Sequence, residues 1–234
     1  MNRIWNIQTM IICVLWMTPL GLLPQEGKLN QTSAITLMGL GDSITQGGSK
    51  TPSYLFSLWK KLKEAGYNVN FVGPQQTTLK DTTLNHSGFG GQNAEFLEKR
   101  IDSIYRKFPA DVVLLHSGHN YFVEDKPISV IIEAQRSIIS KIKAINPNAA
   151  IFVAQVIESG KLPKYSYIPE LNREIKSLVG ELQNTWSGIY LVDQAATFDW
   201  RSDTIEDMVH PNARGAEKMA ETWFKELKKY VRKN

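Results

Sequence analysis

The chain is poor in cysteine. Of its 234 residues only Cys13 carries a thiol, and it lies in an N-terminal stretch that reads as a leader. A mature chain without that stretch has no disulfide framework, no thiolate metal site and no cysteine nucleophile. Charge of one sign is also scarce. The formal net charge is +4, and the basic residues are scattered except in the terminal "KELKKYVRKN", which reads as a solvated helix end. A nucleic-acid surface clusters Lys and Arg over one face with aromatics among them. No such stripe is present, so no nucleic-acid partner is expected. The longest apolar run, 10–23, is interrupted by Pro19 and falls short of the roughly 20 residues a membrane span needs. Two motifs are missing as well. "GLGDSITQG" lacks the third glycine and the later acid of a dinucleotide fingerprint, and G-x-S-x-G, the nucleophile elbow, does not occur. No cofactor is expected.

What is there begins with the leader. In "MNRIWNIQTMIICVLWMTPLGLLPQEG", Arg3 precedes a compact apolar core, the pattern of a secretory signal peptide. No A-x-A cleavage pattern follows, so an uncleaved N-terminal anchor stays open. Residues 1–30 are assigned to this leader and 31–234 to one domain. The expected location is secreted or periplasmic, with no membrane partner beyond such an anchor.

Past the leader two periodicities alternate. Short apolar runs at 34–40, 69–73, 111–117, 149–157 and 188–193 read as buried strands. Helical spacing fills 54–65, 93–107, 129–145, 168–182 and 213–230. Near-continuous apolar strands separated by helices imply a parallel sheet covered on both faces. The expectation is a single three-layer α/β/α domain with a mainly parallel, about five-stranded, flavodoxin-like sheet. In such sheets ligands bind beyond the carboxyl ends of the strands. Ser43 in "GDSITQG" follows the first run directly. "HSGFGGQ" (86–92), "HSGHNY" (116–121) and "DMVHPN" (207–212) are the other polar clusters near that edge.

A serine hydroxyl needs a base to take its proton, and the base needs a third group to orient it. Acyl transfer also needs hydrogen-bond donors where the carbonyl oxygen turns negative. Asp207 and His210, three apart, would share one side of a helical turn and could supply base and orienting acid. The amides of Ser43 and Gly91 and the side chain of Asn120 could supply an oxyanion hole. Each piece has a bland alternative: a structural turn at Ser43, a helix cap at Asp207, a plain loop at Gly90 and Gly91. Their order along the chain favours one site.

That order, Ser, Gly, Asn, His, resembles the SGNH (GDSL) hydrolases over residues 35–227. The resemblance implies Ser43 as nucleophile, His210 as base, Asp207 as orienting acid, and Ser43, Gly91 and Asn120 as oxyanion donors. Tyr121 departs from the pattern, standing where an Asp is usual after Asn120, and so questions the local support of Asn120. The segments around Ser43 and His210 look most like members that deacetylate carbohydrates. The implied function is a serine esterase acting on acyl, chiefly acetyl, esters of a small molecule or polysaccharide. A broad-specificity esterase or lysophospholipase, and a non-catalytic carbohydrate-binding protein, are the alternatives. Asp42, His119, Tyr165 and Trp200 are the candidate substrate contacts. His116 and His119 straddle a strand end and its loop with no acid at ligand spacing, so no metal is expected.

Overall fold

The computed structural model describes residues 34–49 and 51–231, so the expected leader, with Cys13, lies outside the described residues. Strand β1 (Ile35–Gly41) shows how the layers arise. Its side chains alternate: Ile35 and Leu37 enter one apolar cluster, Met38 and Leu40 the other. The same period of two runs through β5 (Val112–His116), where Val112 and Leu114 oppose Val113 and Leu115. A strand buried on both faces reads as one continuous apolar run, which is why these segments are legible without alternation.

Helices α2 (Tyr54–Glu64) and α7 (Ala213–Tyr230) cover the first face. Leu55, Leu58 and Trp223 pack there against Leu37, Leu114 and Phe152. Gly39 leaves room for this layer, since a Cβ on it would come within 2.9 Å of Leu55. Helices α3 (Ala94–Lys107), α4 (Ile128–Ile145) and α5 (Ile168–Gln183) cover the opposite face, with Leu97, Ile138 and Ile175 in its cluster. Asn93, Ser53 and Asn212 cap α3, α2 and α7 by accepting from backbone N–H groups one turn in. Among the described residues, no helix is long and apolar enough to cross a membrane.

The sheet corrects one expectation: it has seven strands, not about five, and is mixed. Strands β2 (Val69–Phe71), β6 (Ala150–Gln155) and β7 (Ile189–Asp193) fall in the expected runs. The two additional strands, β3 (Gln75–Leu79) and β4 (Thr82–Gly88), form an antiparallel hairpin, and the other pairings are parallel. "QQTTLKDTTLNH" has no apolar run. Its strands are held by threonine, which favours extended backbone, and by polar pairs such as Thr78–Thr83 (2.9 Å) and Gln76–Asn85 (3.0 Å). Lys80 turns the hairpin with a φ of 52°.

The order β3-β4-β1-β5-β6-β7 leaves one edge of β1 divided. Ile35, Thr36 and Leu37 pair with β2, whereas Leu40 and Gly41 pair with Ser87 and Gly88 of β4. The segments after β4, β1 and β5 therefore emerge side by side at the carboxyl edge.

Candidate active site

At the end of β1 the chain turns through Asp42 into a four-residue helix, α1 (Ser43–Gln46). Asp42 Oδ1 accepts the Ile44 N–H at 2.9 Å and starts that helix. Gly41 must be glycine, because a Cβ there would collide with the carbonyl of His116. Thr45 anchors α1 from below, its hydroxyl 3.1 Å from Tyr54 and its carbonyl accepting from Ser53 at 2.6 Å. Ser43 is thus fixed at the lip of the sheet.

Asp207 and His210 arrive from the segment before α7. They lie in a turn, not on the helical turn their spacing suggested. The cause is local: Asp207 Oδ1 accepts the N–H groups of both Val209 and His210 at 2.9 Å, and Met208 sits at a φ of 59°. This leaves Asp207 Oδ2 2.5 Å from His210 Nδ1 and His210 Nε2 2.8 Å from Ser43 Oγ. Partial burial pushes the Asp207 carboxyl up, but the amide and ring of His210 and the amide of Val209 outweigh it and hold its pKa below the ordinary value. An ionised Asp207 accepts a hydrogen bond from Nδ1–H, so the Nε2 lone pair faces the serine hydroxyl.

The other side of Ser43 is built from the neighbouring strands. Gly91 follows β4 with a φ of 74°, and Asn120 follows β5 with a φ of 69°. Asparagine tolerates that left-handed backbone better than most residues. One hydrogen of the Asn120 amide goes to the Gln92 carbonyl at 2.9 Å, which ties the two loops together. The N–H of the neighbouring Gly90 is bonded to Gln46 Oε1 at 2.5 Å. Tyr121 secures the Asn120 loop in its own way. Its hydroxyl accepts the Ala94 N–H at 2.9 Å and donates to Glu95 at 3.0 Å, pinning the loop to the start of α3.

Three candidate substrate contacts are corrected. Asp42, His119 and Tyr165 are 1%, 2% and 4% exposed, so they lie beneath the site and offer a substrate no surface. The Tyr165 ring packs edge-on to His119. Trp200, at the start of the short helix α6 (Trp200–Asp203), is half-buried against Gly160, with the Arg201 guanidinium 4.5 Å from its ring centroid. Of the two aromatic candidates, Tyr165 is therefore used in packing and Trp200 keeps part of its surface.

Asp42, His116 and His119 do converge, contrary to the expectation that the two histidines need not face one point. Their ligand-type atoms lie within 4.8 Å of one another, all buried. Two imidazoles and one carboxylate are metal-type donors, so the expectation that no acid stands within reach of these histidines does not hold. His116 Nε2 accepts the Ile157 N–H at 3.4 Å, whereas His116 Nδ1, both ring nitrogens of His119 and Asp42 Oδ2 are buried with no hydrogen-bond partner among the described residues. Burial pushes His116 down to about 4 and, with the nearby His116 and His210, His119 down to about 3, while it raises Asp42 to about 6. His86 stands apart under the hairpin, bonded to Thr77 and to the Gly88 N–H.

A serine bonded to an imidazole, itself bonded to a carboxylate at the carboxyl edge of a parallel sheet, is the arrangement of a serine-hydrolase class of α/β protein. The chain belongs to the GDSL-like lipase/acylhydrolase family, whose model matches residues 40–218. It is similar to a family 3 carbohydrate esterase of Clostridium thermocellum, with 27% identity and a TM-score of 0.73 over 82% of this chain and 94% of that one. A family 3 carbohydrate esterase of Talaromyces cellulolyticus shares the fold at a TM-score of 0.72 and 22% identity, over 82% of this chain and 96% of that one. In sequence it is 26% identical to a multidomain esterase of Ruminococcus flavefaciens, over 91% of this chain and 31% of that protein. The chain thus spans about a third of that relative's length.

Proposed function

We propose that the protein is a serine esterase that removes acyl, chiefly acetyl, groups from carbohydrate. The observation that carries this reading is the continuous chain Asp207–His210–Ser43, with contacts of 2.5 and 2.8 Å. Ser43 Oγ attacks the ester carbonyl carbon as its proton passes to His210 Nε2. The negative oxygen of the tetrahedral intermediate is held by the N–H groups of Ser43 and Gly91 and the remaining Asn120 amide hydrogen. The bond to the alcohol breaks, His210 returns the proton to the leaving oxygen, and the acyl group stays on Ser43. Water then attacks that carbonyl, giving a proton to His210, and the acid departs as Ser43 recovers its hydrogen. Asp207 keeps the imidazole in one tautomer and stabilises its charged form throughout.

The carbohydrate part is supported by likeness to the Clostridium thermocellum esterase. The proposal includes export through the leader, which would bring the enzyme to polysaccharides outside the cell. The test is acetate release from acetylated xylan, pectin and simple acetylated sugars, with Ser43→Ala alongside. Ser43-dependent release is expected, with turnover falling roughly 10⁶-fold in the variant. Turnover unchanged in Ser43→Ala overturns the mechanism. Preference for long-chain nitrophenyl esters over acetyl esters overturns the substrate class and favours a broad esterase or lysophospholipase.

A further inference from the structure

We propose that Gln46 is a positioning residue that sets the oxyanion hole, acting on the loop 89–92 from the helix that carries Ser43. The inference rests on the esterase reading above. Gln46 sits three residues after Ser43 on α1, and its N–H closes that helix onto the Asp42 carbonyl at 3.0 Å. Its side-chain Oε1 accepts the Gly90 N–H at 2.5 Å. Its backbone carbonyl accepts from Thr77 of β3 at 3.0 Å. Gly88 packs so closely on the Gln46 backbone that any Cβ there would collide with it. One residue therefore joins the nucleophile helix, the hairpin and the glycine loop.

The link matters because the donor must stand at a fixed place relative to Ser43 Oγ. Gly90 and Gly91 are adjacent amides in a loop whose glycines leave the backbone free to rotate. Binding the Gly90 N–H removes that freedom, and it uses an acceptor on the same short helix as the nucleophile. The loop then follows Ser43 as a unit: a Cβ on Gly90 would lie 3.8 Å from the Ser43 Cβ. The Asn120 bond to Gln92 fixes the far end of the loop. Gln46 itself need not touch the substrate.

The experiment is a double-mutant cycle on acetyl-ester hydrolysis. Gln46→Ala removes the acceptor. Gly90→Ala keeps the N–H but places a methyl group 2.8 Å from Gln46 Oε1, displacing that side chain. Each single variant is expected to lower kcat about tenfold with KM unchanged, less than the ~10²–10³ of losing a donor outright. In the Gln46→Ala background, Gly90→Ala is expected to cost little more, because the contact it disrupts is gone. Affinity for a boronic acid that mimics the tetrahedral intermediate should fall by the same factor as kcat. Thermal unfolding of each variant reports folding separately. Unchanged kcat in Gln46→Ala, fully additive losses, or a rise in KM with kcat intact would each overturn the proposal. If Ser43→Ala retains turnover, the esterase reading itself has failed; if only the Gln46 effects are absent, the esterase stands and the positioning role falls.

Discussion

The two sides of Ser43 are built by different means. On the side of the proposed oxyanion hole the loops hang from paired strands and from one another. Phe89 extends the β1–β4 pairing onto the Gly41 carbonyl, Gly90 is bonded to Gln46, Asn120 to Gln92, and Tyr121 to Ala94 and Glu95. On the base side His210 rides on an irregular segment. A bond from the Ile205 N–H to the His210 carbonyl, and bonds from Gly160 and Ser159 to the Met208 carbonyl, hold it in place. The difference matches the work. An oxyanion donor helps only when it is already in place as charge develops. A base that passes a proton between serine, alcohol and water needs chiefly the right tautomer, and one carboxylate supplies that.

Asp207 is where the comparison breaks most visibly, because it serves both the turn and the ring. Asp207→Asn keeps a carbonyl oxygen for the Val209 and His210 amides but points an NH2 at Nδ1. It is expected to lose about 10⁴-fold in kcat with its melting temperature nearly unchanged. Asp207→Ala should lose similar activity and also stability, by ~1–2 kcal/mol, since two backbone N–H groups lose their acceptor. Kinetics beside thermal unfolding distinguish the two; equal stabilities would show that the turn does not depend on Oδ1.

The oxyanion side yields next. Asn120→Gly removes the amide while keeping the left-handed backbone comfortable, and kcat is expected to fall by about 10²–10³. Asn120→Ala should add a backbone cost of roughly 1–2 kcal/mol to the same catalytic loss. A change confined to KM would make Asn120 a substrate contact.

The smallest effect concerns the buried groups beneath both sides. Asp42 has its folded pKa raised by burial from 3.8 to about 6, so its contribution to stability is complete below pH 3.8 and is lost as pH rises through 6. His116 and His119 have theirs lowered from 6.5, so their contribution is present above 6.5 and is lost on acidification toward 4 and 3. Asp42→Asn retains a side-chain acceptor for the Ile44 N–H and cannot ionise. It should gain melting temperature relative to wild type at pH 8 and not at pH 4; the same difference at both would remove Asp42 from the pH dependence.

Much of this was legible in the residues. β1 and Ser43 stand out because an apolar run ending in Gly-Asp-Ser can hardly be anything but a strand meeting a turn. The helices around the core announced themselves by spacing. The hairpin is hidden because threonine and asparagine side chains, not an apolar stripe, hold it together, and that conceals why the glycine loop at Gly90 lies beside Ser43. Nothing in "SITQGG" shows that the Gln46 amide reaches a loop 44 residues away. Asp42, His119 and Tyr165 were placed with the right neighbours but at the wrong depth. Sequence order reports which strand end a residue leaves, and burial there depends on loops that close over it.

The divided edge of β1 has a consequence for how such a molecule can diversify. Among the described residues, the only strand pairing that joins the hairpin to the rest of the sheet is through Leu40–Ser87 and Gly41–Gly88. The apolar half of the edge is already occupied by β2. The hairpin is therefore tied in at one corner, by these two pairs and by the bond from Thr77 to the Gln46 carbonyl, while its tip stands clear of the sheet. Its tip, at Lys80 and Asp81, can grow, shrink or change composition over descent without disturbing the interior, provided two residue pairs keep the glycine loop in register with the serine.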